Sequence, residues 1–355
     1  MLIRNILRRS LLKQFTPGCQ ENYIQILTKK KYFLRRIATC LLEKRNLVKT
    51  KWNVMSGLQK ATAVTAAAAA ILQLEDEERK EEDSELIKSI KLAVLSLQKG
   101  EPEKAERLLH LSLRVAQEQA NTPAITYIYD LLANIAFEQR NFAKAERLLG
   151  ELLRRLAADA TDSNAFVEVS LKLASVFASS GDRERADAGF QFCIDTQQRK
   201  IAAAGGEAAA DADTLGLWGM SVDWYARFLR SRHQYDRARE LTAQALAACV
   251  RVGGERAEQS VVLLSDLGTL DLLCGDVEVA AERLERAARL AEELDLAELA
   301  TIQVNLGMVR LQQGMAREAR RSCAAAHRRA TRNGDTEAQG MADECLKKVK
   351  KFSSS

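Results

Sequence analysis

Side chains able to exchange protons, hold metals or attack bonds are sparse in this chain of 355 residues. The three histidines, His110, His233 and His327, lie far apart, and none stands in a metal-ligand spacing. The seven cysteines (Cys19, Cys40, Cys193, Cys249, Cys274, Cys323, Cys345) are scattered, odd in number and without a Cys-x-x-Cys pair. A reduced chain is therefore expected, with Cys193 and Cys323 as small core residues. There is no GxSxG, no phosphate-binding glycine loop and no HExxH. Asp130 and Asp223 are single acids on helices, not a pair poised for acid–base work. The run EDEERKEEDSE, residues 75–85, holds eight acids and two bases and reads as a solvated spacer. These features give no basis for an enzyme, a cofactor or a metal, and they leave binding. Candidate binding side chains are Tyr127, Asp130 and Asn134, one helical turn apart, and, as corresponding candidates in other hairpins, Lys172, Asp223, Arg227 and Asn305.

Those residues need elements to carry them, and the elements repeat. A turn followed by a helix with an early alanine recurs at Ala105, Ala145, Ala186, Ala238, Ala280 and Ala319. Twelve residues before each stands a small residue: Ala93, Ala133, Ala174, Ala226, Gly268 and Gly307. Immediately before each of these comes a large apolar one: Leu92, Leu132, Leu173, Tyr225, Leu267 and Leu306. Small residues on facing helices let the axes approach, and the large neighbour fills the space beside the contact. The pattern resembles the tetratricopeptide repeat, with intervals near ~40 residues in place of the usual ~34. In the second hairpin Thr122 is the expected cap, Pro123 suits the first turn, and the second helix starts near Phe142. With three prolines in the chain and no period-two patterning, the expected fold is all-α. It is a right-handed solenoid of about six helical hairpins over 84–332 with a C-terminal capping helix, the repeat domain running over 84–351. Its first helices would line a peptide-binding groove. The gap of 52 residues between Ala186 and Ala238 is assigned to a mobile insert at 202–213, around Gly205–Gly206.

The flanks differ from the domain. Residues 1–60 carry 14 Lys and Arg against two acids, and MLIRNILRRSLLKQF is amphipathic, the signature of a mitochondrial targeting leader. The net charge of +5 thus combines a leader of +12 with a remainder of −7, so nucleic-acid binding is not expected of the folded domain. The uncharged, alanine-rich stretch 61–74 is a candidate membrane anchor or a helical linker. Residues 75–83 form the acidic linker, and 352–355 a disordered tail.

The segments AITYIYDLLANIAFEQ, EVSLKLASVFASSGD, GFQFCIDTQQRK, LGLWGMSVDWYARFL and VLLSDLGTL follow a basic leader and an acidic spacer in this order. In that respect the chain resembles the mitochondrial tetratricopeptide repeat protein 19 family over about 84–332. The resemblance implies a non-enzymatic assembly factor associated with the inner membrane. It also implies respiratory complex III as partner, in particular fragments of its Rieske iron–sulfur subunit that are to be cleared. The alternative is a cytosolic cargo adaptor resembling kinesin light chains. An adaptor of that kind would carry a heptad coiled coil upstream, and residues 1–83 contain none.

Overall fold

The structure is a computed structural model that describes residues 85–157 and 160–354. The leader 1–60, the apolar stretch 61–74 and the acidic linker 75–83 lie outside the described residues. All the regular structure described is α-helical, in thirteen helices. They are α1 (85–98), α2 (Pro102–Glu118), α3 (Thr122–Glu138), α4 (Phe142–Leu156), α5 (Asn164–Ser180), α6 (Arg183–Ala203) and α7 (Ala212–Ser231). There follow α8 (Tyr235–Gly253), α9 (Glu258–Cys274), α10 (Val277–Glu293), α11 (Leu299–Gln312), α12 (Ala316–Asn333) and α13 (Thr336–Ser354). The chain divides into two compact units, with the boundary between Leu152 and Leu153 in α4.

Local chemistry sets the helix ends. Asn121, not Thr122, caps α3: its Oδ1 accepts from the Ala124 N–H at 3.2 Å. Thr122 falls inside the helix as its first residue, since an asparagine one position earlier already satisfies a free N–H. Ser163 and Asp182 cap α5 and α6 in the same way. Gly181 and Gly275 close α5 and α9 with φ of +87° and +96°, a conformation that glycine adopts without a Cβ penalty.

The first unit contains the first hairpin, α1 and α2, then α3 and α4 up to Leu152. Helix α2 shows the second-helix pattern plainly: its buried residues are Ala105, Leu109, Ser112 and Ala116, one stripe at intervals of four, three and four. It packs against α3, whose Leu132 and Ile135 are buried. Lys144 of α4 bonds the Glu106 carboxylate of α2. Phe137 and Phe142 meet edge to face across the α3–α4 turn, with centroids 5.8 Å apart.

The second unit strings the later hairpins together. Each second helix packs on its own first helix and on the first helix of the next hairpin. Ala280 and Leu284 of α10 share one buried cluster with Leu306 and Val309 of α11. The close approach required of the small residues is present. A Cβ on Gly268 would lie 2.9 Å from Leu284 Cγ, and one on Gly307 would lie 2.5 Å from Cys323 Sγ. The long interval between Ala186 and Ala238 is turn structure at 204–210 between α6 and α7. A polar node joins the helices around it. Asn164 donates to Thr214 Oγ1 at 3.3 Å and accepts from Gln197 at 3.1 Å, while Asp211 caps α7.

Two expectations change here. Cys323 of α12 and Cys345 of α13 are joined as a disulfide, so the cysteines are not all reduced. The helices bring the two Cα atoms to 5.9 Å although the residues are 22 apart, and no spacing rule signals such a pair. Cys193 is the buried core residue expected, its thiol pushed up to about 12 by burial. Helix α13 also runs on through Phe352 to Ser354, past the expected end at 351.

Candidate functional site

The first helices carry the candidate binding residues, and burial sorts them. In the first unit, Tyr127 is buried in α3, while Asp130 and Asn134 are half-buried one turn apart. Asn134 Nδ2 donates to Asp130 Oδ2 at 3.3 Å. In the second unit, Lys172 is half-buried on α5, its Nζ 3.6 Å from the Glu168 carboxylate. Asn305 is half-buried on α11, beside the buried Leu306.

Asp223 and Arg227 are placed differently: they are 3% and 7% exposed, inside the unit. Arg227 Nε donates to Asp223 Oδ1 at 3.0 Å, and its Nη2 lies 3.0 Å from Asp266 Oδ2 on α9. Arg230 reaches the same Asp266 at 3.4 Å. Two arginines and two aspartates thus tie α7 to α9. Burial raises the Asp223 carboxyl above the ordinary aspartate value, and the Arg227 guanidinium pulls it back down. Arg227, paired with Asp223 on α7 and reaching Asp266 on α9, therefore helps hold the two first helices together, and direct contact of these buried atoms with a partner would require α7 and α9 to part.

The second charged assembly lies between α8, α9 and α10. The buried Asp271 carboxylate is held by Arg283 of α10, and Arg239 of α8 stands 3.9 Å away and bonds Asp276. Among the described residues, no group of three or more His, Cys, Asp or Glu side chains could hold a metal ion. No helix of the described chain is long and apolar enough to cross a membrane.

An open, mainly apolar depression on α8 and α9 adds a feature that the sequence reading missed. It has a volume of about 520 Å³ and is lined by Ala243, Leu246, Ala247, Val250, Arg251 and Leu267. Its origin is visible in the run AQALAACV of α8, where Ala243 and Ala247 leave room between Leu246 and Val250. A shallow apolar bed with one arginine at its edge suits the apolar face of a helix or an extended segment with a nearby acid.

The comparisons with known proteins agree with this architecture. A tetratricopeptide repeat family model matches residues 220–293. The chain is 39% identical over 250 residues to tetratricopeptide repeat protein 19, mitochondrial, of Rattus norvegicus, covering 68% of each protein. It is 30% identical over 278 residues to the mitochondrial tetratricopeptide repeat protein 19 homolog of Drosophila melanogaster, covering 78% of this chain and 74% of that one. Among solved structures, BtubC from P. vanneervenii superposes with a TM-score of 0.53 at 21% identity, covering 70% of this chain and 92% of that one. That likeness concerns the fold.

Proposed function

The chain belongs to the mitochondrial tetratricopeptide repeat protein 19 family, and from that membership we propose that it is a non-enzymatic mitochondrial scaffold that maintains respiratory complex III. It acts at the inner membrane by holding segments of a complex III subunit. The substrate of choice is a processed fragment of the Rieske iron–sulfur subunit, presented for removal. The observation that carries this reading is the kinship at 39% identity over 250 residues, 68% of this chain. The helical-hairpin architecture supports it, because stacked hairpins bind extended or helical segments of other proteins along their exposed faces.

Within the second unit the binding surface comprises the apolar depression of α8 and α9, with Lys172 and Asn305 as candidate polar contacts elsewhere in that unit. Within the first unit the candidates are Asp130 and Asn134. Tyr127, Asp223 and Arg227 support these helices from inside.

The test is rescue in cells lacking the protein. Wild type should restore complex III activity and leave unrelated mitochondrial enzymes unchanged. A variant with Leu246→Asp and Val250→Asp should retain its helical content yet fail both to co-purify with complex III and to restore activity. Full rescue by a folded variant of this kind removes the depression from the binding surface. Complex III activity that is unchanged by loss of the protein removes the function itself.

A further inference from the structure

Helix α12 concentrates charge of one sign. Six of its eighteen residues are arginine, and Glu318 is its one acid. Its buried side is Ala319, Cys323, Ala326 and Ala330, at intervals of four, three and four. On the opposite side stand Arg317, Arg321, Arg328 and Arg332, at intervals of four, seven and four, with Arg320 beside them. All five are exposed. Among the described residues, no acid holds any of these five guanidinium groups. Arginines on the neighbouring second helices are treated differently: Arg239 bonds Asp276, Arg283 bonds Asp271, and Arg286 donates to Glu255 at 2.7 Å. Even the sixth arginine of α12, Arg329, is turned aside to Asp295 at 2.6 Å. The row of five is left facing outward.

What surrounds the row identifies its partner. From Arg317 to Arg332 it runs about 22 Å along the helix, with the small residues Ala324, Ala325 and Thr331 between the charges. A line of exposed cations without a cradle suits an array of anions better than a single phosphate or carboxylate. Helix α12 has no Phe, Tyr or Trp on which a nucleic-acid base could stack. At one end the surface turns apolar. Helices α12 and α13 form a hairpin crossed by the Cys323–Cys345 bond, so residues before Cys323 lie beside residues after Cys345. Met315, eight residues before, and Phe352, seven after, therefore share one end, 43% and 50% exposed. The exposed Lys347 and Lys348 lie on the same stretch of α13. Apolar side chains set among cations fit a membrane interface, where they enter the boundary while the cations meet lipid phosphates. The planar guanidinium fork matches phosphate oxygens. We infer that the α12–α13 hairpin docks on an anionic phospholipid surface, the arginine row against headgroup phosphates and Met315 and Phe352 in the interface. This attachment goes beyond the proposed function: it needs neither complex III nor a membrane-spanning helix.

Lipid adducts locate the contact in the full chain. A benzophenone amino acid in place of Met315 or Phe352 should crosslink to lipid in phosphatidylcholine–cardiolipin vesicles, read by mass spectrometry of the modified peptides. The same probe at Gln244, exposed on α8 of the same unit, should not. Replacing the five outward arginines of α12 by glutamine puts a good helix former at each position, so helical content and melting temperature should hold. Each charge near an anionic surface changes affinity about fivefold. The adducts should therefore fall at least about tenfold in the glutamine variant, whose leader is the same as in wild type. They should fall likewise when wild type meets phosphatidylcholine alone. The proposal is overturned by adducts that match in wild type and variant, that form equally on uncharged vesicles, or that do not form at all. Adducts alike at all three probe positions also overturn it. So does arginine-dependent binding of polyglutamate or duplex DNA with no lipid adduct, which assigns the row to an acidic protein or to nucleic acid. None of these results bears on complex III, so the proposed function stands or falls separately.

Discussion

Replacing glycine by alanine at two kinds of helical position tests the packing register directly. Inside a helix, glycine is less favourable than alanine by about 1 kcal/mol, so the exchange stabilises wherever a methyl group fits. Gly216 in α7 has nothing within 4 Å of the Cβ it would gain, and the prediction there is a gain of up to about 1 kcal/mol. Gly307 in α11 is the opposite case. Its Cβ would meet Cys323 Sγ at 2.5 Å, Cys345 Sγ at 3.2 Å and the Ala319 carbonyl oxygen at 3.3 Å. The two sulfurs are bonded to each other and the carbonyl belongs to a helix, so none of the three moves aside freely. Overpacking of this kind costs about 1–3 kcal/mol, and the upper end applies, for a net loss of about 2 kcal/mol. Gly268→Ala, whose Cβ would meet Leu284 Cγ at 2.9 Å, should fall between the two. Gly216→Ala and Gly307→Ala should then differ by about 3 kcal/mol, or roughly 6–12 °C in melting temperature for a domain of this size. Thermal melting followed by circular dichroism measures that difference. If Gly307→Ala melts with or above Gly216→Ala, the close contact of α11 with α12 is wrong, and with it the repeat register.

Three further outcomes follow from particular contacts. Arg227→Ala leaves Asp223 buried beside Asp266 without its counter-charge and should destabilise by about 3–5 kcal/mol in denaturant unfolding, whereas Asn134→Ala should cost far less. Reductant, or Cys345→Ala, should lower stability by about 3 kcal/mol, the order expected for a crosslink closing a loop of this length, and the variant should lose all dependence on reductant. The Glu106 carboxyl is held below the ordinary glutamate value by its hydrogen bond from Lys144. Its stabilising contribution is therefore complete above that ordinary value and is lost as pH falls through the lower, folded one. Acid titration of the melting temperature should show a shallower decline for Lys144→Met than for wild type.

The second helices were legible in the sequence and the first helices less so, for a physical reason. A second helix buries one stripe, as Ala105, Leu109, Ser112 and Ala116 do in α2, and a stripe of that spacing can be read from residue types. A first helix is covered by its own second helix and by the second helix of the hairpin before, so burial spreads around it. In α7, Leu217, Trp218, Val222, Asp223, Trp224 and Arg227 are all buried, which no single-stripe reading separates into inward and outward faces. That is why Asp223 and Arg227 look like groove residues in sequence and form an internal ion cluster in the fold. Asp130, Asn134, Lys172 and Asn305 retain partial exposure. The apolar depression was missed because alanine-rich α8 reads as an ordinary packing face, and only the arrangement of α8 against α9 shows that Leu246 and Val250 line an opening. The Cys323–Cys345 bond was missed for a similar reason, since the proximity of α12 and α13 is a tertiary fact.

The proposed function requires the folded chain to hold a segment of a complex III subunit. The most direct measurement is photo-crosslinking from a benzophenone group placed at Ala243 or Ala247, beside the depression, in intact mitochondria. Peptides of the Rieske subunit, enriched in its processed fragments, should be recovered on these probes and lost when Leu246→Asp and Val250→Asp are present. Crosslinks that reach only proteins unrelated to complex III, or that persist unchanged in that variant, contradict it.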